Sequence, residues 1–164
     1  MVSFTRLVRN LSATSWALRR VFDKPTLEAI EQAISQSERT HGGEIRFAIE
    51  AGLSAWELMR GITPRERALQ VFSELRVWDT EANNGVLIYV LWADHDVEIV
   101  ADRGFNGRLT AEDWAGICHQ MERLFAQRQY REAVLEGIRA CGKLIARHYP
   151  RADADELSNR PAVL

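Results

Sequence analysis

Only two cysteines occur among 164 residues, and Cys118 and Cys141 stand far apart with no Cys-x-x-Cys or Cys/His spacing. That pattern excludes a disulfide framework and a thiolate zinc site. Both fall on apolar faces of expected helices, as small buried thiols do, which fits a reducing compartment. No run reaches the roughly 18 apolar residues of a membrane span, and the N-terminus lacks the continuous apolar stretch of a secretory signal. The expected location is therefore the cytoplasm. Neither charge sign dominates: 21 Lys+Arg against 23 Asp+Glu give a net charge of −2. Such a balance provides no basic footprint for a phosphate backbone, so no nucleic-acid partner is expected. Internal repeats and low-complexity segments are also missing.

What is present suits one globular domain with a real core: 46% of the residues are hydrophobic, enough at this length to bury about two thirds of the unfolded surface. The first 24 residues are lopsided. Arg6, Arg9, Arg19, Arg20 and Lys24 are opposed only by Asp23, while Phe4, Leu7, Val8, Leu11, Leu18 and Phe22 lie along one side of an expected basic amphipathic helix, residues 1–23. Such a helix suits an anionic membrane surface or the docking of an N-terminal helix on its own domain. The main domain is expected over residues 24–149, followed by a loose polar tail at 150–164.

Within the domain, Asp23-Lys24-Pro25 starts a helix that ends at His41-Gly42-Gly43. From Glu44 to Glu50 the period changes to two, with Ile45, Phe47 and Ile49 on one face: a half-buried strand. Ser54-Ala55-Trp56-Glu57 is a capping-box pattern for one short turn. Thr63-Pro64-Arg65-Glu66 combines a Thr cap, Pro in the first turn and an answering Glu, and so begins a second helix. Val86–Leu91 is apolar at every position, as a strand covered on both faces requires. Asp94-His95-Asp96 reverses the chain into a third strand, Val97–Asp102, with a solvated charged tip. Two more helices follow, the first capped by Thr110 and the last ending before Pro150. The predicted fold is an α/β class, three-layer α/β/α Rossmann-like sandwich with a small mixed sheet in which strands one and two are parallel and three antiparallel.

That topology sets the starts of the first two strands and the end of the third on one rim. Asn83-Asn84-Gly85 then has two readings: a turn tolerant of left-handed angles, or part of a polar pocket. On the second reading Glu44, Asp79, Glu81, Asn83, Asn84 and Asp102 supply oxygen ligands of the kind a hard cation such as Ca²⁺ takes, with Gly85 and Arg103 as binding residues. Glu50, Asp94, His95 and Asp96 mark the opposite rim. Arg46 and Glu98 point to the less apolar sheet face. No organic cofactor is expected.

Together, Arg67-Ala68…Val71-Phe72, Asn83-Asn84-Gly85-Val86-Leu87-Ile88 and Val97-Glu98-Ile99-Val100 resemble the TPM domain family, in the family's order, over about residues 24 to 148. The family is named for a thylakoid-lumen protein, a photosystem-repair protein and a modulator of an acetylcholine receptor. The resemblance implies a Rossmann-like sandwich, divalent-metal binding in some members and an acid-phosphatase activity attributed to plant members. It also implies an envelope-associated partner, such as a LemA-type or another TPM protein. Cys141 and Arg147 have Cys-x5-Arg spacing but fall on the last expected helix rather than on a phosphate-binding loop, Asp94-His95-Asp96 has the wrong residue at its centre for an Asp-x-Asp nucleophile pair, and no His-rich two-metal cluster is present. The expected function is thus a non-catalytic binding or scaffolding domain at the cytoplasmic side of the envelope, peripheral to the inner membrane; the alternative is a metal-dependent phosphomonoesterase. Trp56, Trp78 and Trp92 are candidates for an exposed partner surface.

Overall fold

Antiparallel, parallel and again parallel pairing builds one mixed sheet of order β3-β2-β1-β4 in the computed structural model, which describes residues 4–151 and 155–164. The strands are β1 (Glu44–Glu50), β2 (Gly85–Leu91), β3 (Asp96–Ala101) and β4 (Ala162–Val163). β2 is buried at every position, because it is central and helices cover both faces. The helices are α1 (Phe4–Ser12), α2 (Ser15–Val21), α3 (Lys24–Glu38), α4 (Ala55–Met59), α5 (Pro64–Glu74), α6 (Ala111–Ala126) and α7 (Tyr130–Ala146).

Sheet parity divides the core in two. Ile45, Phe47, Ile49, Val86, Ile88 and Val90 pack with α3, α6 and α7 on one side. Ala48, Leu87, Tyr89, Leu91 and Val100 pack with Leu58 of α4 and Ala68 and Val71 of α5 on the other. The three expected layers are there. Capping boxes at Ser54, Thr63 and Thr110 begin α4, α5 and α6, each satisfying amides that the first helical turn leaves free.

Three expectations need correction. The N-terminal segment is two helices, because Thr14 adopts an extended conformation and its side chain accepts the Ala17 amide, starting α2 afresh. Leu18 and Phe22 of this segment are core residues, so it is packed on the domain. The hairpin tip is not simply solvated: Asp94 accepts from Arg6 Nε at 2.8 Å, Arg9 at 2.5 Å and Asn10 Nδ2 at 3.0 Å, and its side chain is only 7% exposed. Asn10 in turn accepts the buried Leu53 amide at 2.9 Å. Finally, the end of the C-terminal segment is not loose. Ala162 and Val163 add to the free edge of β1, and Leu164 N donates to the Ile49 carbonyl at 2.9 Å. Arg46, on the sheet face shared by Ala48 and Leu87, holds this segment by donating to the carbonyls of Ser158 and Arg160.

Candidate functional site

The predicted rim exists. Glu44 pairs with Gly85 across the parallel strands, and Asp102 N donates to the Gly85 carbonyl at 2.9 Å. Glu44, Gly85 and Asp102 therefore form one row across the sheet, with the Glu44 and Asp102 side chains on the same face. Asn84, one position off that row, has the opposite parity.

Most of the rim residues hold the chain rather than line one pocket. Asn83 is left-handed at φ 52°, its carbonyl accepts Gly104 N at 2.9 Å, and its side-chain oxygen accepts Arg103 Nε at 2.7 Å. Asn84 is buried; its amide group donates to the Gly42 carbonyl, its own N–H reaches Thr80 Oγ1 at 3.1 Å, and its carbonyl accepts Glu44 N at 3.1 Å. The two asparagines thus lock the start of β2 to the start of β1 and to the turn after β3. Gly85 is needed because a Cβ there would collide with the Val77 carbonyl; at Gly104 it would collide with those of Asn83 and Ala82. Asp102 accepts the Arg103 amide at 2.7 Å and caps the 3-10 turn Arg103–Phe105. Asp79 pairs with Arg76, and the Glu81 amide donates to the Glu156 carboxylate at 3.0 Å.

Glu44 and Asp102 are two strands apart, roughly 9–10 Å at ordinary strand spacing, with the Val77 carbonyl over Gly85 between them. The carboxylate that Glu44 does meet is Glu38, which sequence reading passed over. Glu38, Glu44 and Asp155 present oxygens within 4.8 Å of one another, the one such group of His, Cys, Asp or Glu side chains among the described residues. Around them lies a cavity of about 240 Å³ lined by Ser35, Glu38, Arg39, His41, Glu44, Asp155 and Asn159.

Each member is positioned by the chain. Glu38 ends α3, and the turn through His41 folds it back so that its Oε1 accepts the Ile45 amide at 2.8 Å. His41 braces that turn: its Nδ1 accepts Gly43 N at 3.2 Å, so Nε2 carries the proton and donates to Ser37 Oγ at 2.9 Å. Burial pushes the His41 pKa down, keeping the ring neutral. Glu44 is buried and accepts the Leu157 amide at 3.1 Å. Asp155 comes from the segment that leads to β4 and accepts from Asn159 Nδ2 at 3.5 Å.

The electrostatics are those of a site short of positive charge. Burial, then the neighbouring Glu44 and Asp155 carboxylates, raise Glu38 to about 8. Burial likewise raises Glu44, with Asp155 and Glu156 adding to it. Glu38 Oε2 and Asn159 Oδ1 are buried without a hydrogen-bond partner among the described residues. A set of three carboxylates and an amide oxygen, two of its atoms unsatisfied, fits a hard divalent cation with oxygen ligands. A signal was available in sequence: Glu38 and Glu44 flank a His-Gly-Gly turn six positions apart.

On the opposite rim Glu50 and Asp94 are each engaged in ion pairs. Glu50, at the end of β1, accepts Arg67 Nε at 2.9 Å and Tyr89 Oη at 2.6 Å, while Arg67 also reaches Glu74 at 2.9 Å. Trp56 and Trp78 are exposed, but Trp92 is partly buried against the core. Burial raises the thiol pKa of Cys118 to about 12 and that of Cys141 beyond it, so neither is a ready nucleophile. No described helix is long and apolar enough to cross a membrane.

The family profile of the TPM domain matches residues 18–144. Among solved structures, the BA42 protein of the psychrophilic bacterium Bizionia argentinensis is 28% identical with a TM-score of 0.71, the match covering 85% of this chain and 93% of that one. The N-terminal domain of a P. gingivalis protein has a TM-score of 0.63 at 16% identity, covering 82% of each chain. No curated protein matches the chain.

Proposed function

We propose, from the premise that this chain belongs to the TPM domain family, that it is a non-catalytic binding or scaffolding domain carrying one divalent cation, Ca²⁺ or a similar ion. Its partner is an envelope-associated protein at the cytoplasmic side. The observation that carries the cation is the Glu38–Glu44–Asp155 cluster, with the raised Glu38 and Glu44 carboxyls and a Glu38 Oε2 that has no partner among the described residues. A cation there replaces like-charge repulsion with attraction and ties α3, β1 and the C-terminal segment together. The ion's chemistry on this reading is charge neutralisation and cross-linking.

Phosphomonoester hydrolysis is the second reading, favoured by the same acidic cavity, where a bound cation would polarise a phosphate oxygen. The residues support it less. The thiols are buried, and His41 is committed to Ser37 and Gly43 on both ring nitrogens. Turnover of an aryl phosphate with added Ca²⁺, Mg²⁺ or Mn²⁺ separates the readings. The binding domain shows no turnover above a Glu44→Gln control; turnover abolished by that substitution in a folded protein establishes the enzyme.

A further inference from the structure

The N-terminal helices leave an unusual surface. Phe4, Val8 and Leu11 form a stripe along α1, and Trp16 on α2 with Trp56 and Met59 on α4 are equally bare; the six are between 49% and 79% exposed. α1 packs against α4. It is held by the Asp94 clasp through Arg6, Arg9 and Asn10, and by Leu7, which packs on the core. The stripe is thus turned outward by contacts on the helix's other side. Bare apolar side chains gathered on helices that pack against each other mark an interaction site.

Charge identifies what covers it. Residues 1–22 contain four arginines and no Asp or Glu. Arg6 and Arg9 are spent on Asp94, but Arg19, Arg20 and Arg60 are exposed. Arg20 stacks over Trp16 at 4.9 Å and Arg60 over Trp56 at 6.0 Å. The nearest carboxylate on α4, Glu57, is engaged with the Ser54 cap and lies 3.6 Å from Arg67. Exposed aliphatic and tryptophan side chains bordered by arginines that make no ion pair among the described residues match the acyl–headgroup boundary of an anionic bilayer, where tryptophan rings and basic groups settle at one depth.

We propose that the α1–α2–α4 surface is a docking face for an anionic lipid surface, with Phe4, Val8, Leu11 and Met59 entering the acyl boundary and Arg19, Arg20 and Arg60 at the headgroups. This rests on the envelope-side reading above but not on the cation site. The experiment is therefore done with chelator present, so that failure of one leaves the other standing.

The full chain is sedimented with phosphatidylcholine vesicles with and without phosphatidylglycerol. Binding is expected only with phosphatidylglycerol. The combined Phe4→Ser, Val8→Ser and Leu11→Ser variant is expected to partition more weakly by roughly tenfold or more, with an unchanged unfolding midpoint because all three side chains are exposed. Arg19→Glu with Arg20→Glu removes the preference for phosphatidylglycerol. Brominated lipid quenches tryptophan emission, and a Trp16→Phe, Trp56→Phe variant still binds but loses the quenching. The proposal is overturned if the wild-type chain binds neither vesicle, if the triple variant binds as well as wild type, or if the triple variant instead abolishes a concentration-dependent dimer.

Discussion

Glu38 and Glu44 sit on either side of a five-residue turn with their carboxylates side by side, and the Ile45 amide donates to Glu38 at 2.8 Å. The backbone thus enforces the close approach of two carboxyl groups. Asp155 arrives from the other end of the chain, so the cluster also records how the C-terminal segment is seated.

The C-terminal segment should loosen when Arg46 is shortened. Arg46→Met removes donors to the Ser158 and Arg160 carbonyls while keeping the aliphatic stem. The expected cost is local, about 1–2 kcal/mol. It should be read as faster hydrogen exchange at the Leu157 and Leu164 amides, with β2 amides unaffected.

Asn84 should behave as a structural residue. Replacing it by Ala strands the buried Gly42 carbonyl and frees the link between β1 and β2, at about 1–3 kcal/mol of global stability. Denaturant unfolding measures this. Cation affinity of the folded variant should match wild type, whereas a ligand role would reduce it.

The clasp on α1 should depend on Asp94. Asp94→Ala leaves Arg6, Arg9 and Asn10 without their acceptor, and exchange should rise across residues 4–12 and at Leu53. Its pKa lies below the usual 3.8 through the bonds from Arg6 and Arg9, despite an opposing burial effect that is the largest single influence. The clasp's stabilisation is therefore complete above 3.8 and is lost as pH falls through the depressed value.

Asp96 gives the opposite sign. Burial, then Glu98, Glu122 and Asp94, raise it to about 6, and its Oδ1 has no partner among the described residues. Stability from this group is fully present below the unfolded value of 3.8 and is lost as pH rises through about 6. Asp96→Asn should therefore stabilise the protein at pH 7.5 by on the order of 1 kcal/mol, allowing for partial exposure. The gain should vanish below pH 4, as thermal unfolding across that range would show.

The central strands and the capped helices were legible because periodicity and capping chemistry are local: Val86–Leu91 has no polar face, and Thr63 and Glu66 answer each other within one turn. Topology placed Glu44, Asn84 and Asp102 on one rim correctly. It did not give parity or what fills the gap, because the Val77 carbonyl over Gly85 is a tertiary contact. Glu38 reads as a solvated helix end until the His41 turn folds it onto Ile45. Arg151–Leu164 reads as coil because β4 is two residues long and exists only by pairing with β1. The Asp94 clasp spans 84 to 88 positions, beyond any local pattern.

Cation binding by Glu38, Glu44 and Asp155 is tested by a Ca²⁺ titration followed through backbone amide resonances. Saturable one-site binding is expected, with shifts centred on Ile45, Leu157 and Asn159. Affinity should fall by about tenfold or more in Glu38→Gln and Glu44→Gln and stay unchanged in Asp102→Asn. Absence of saturable shifts, or affinity indifferent to Glu38→Gln and Glu44→Gln but lost in Asp102→Asn, would contradict it.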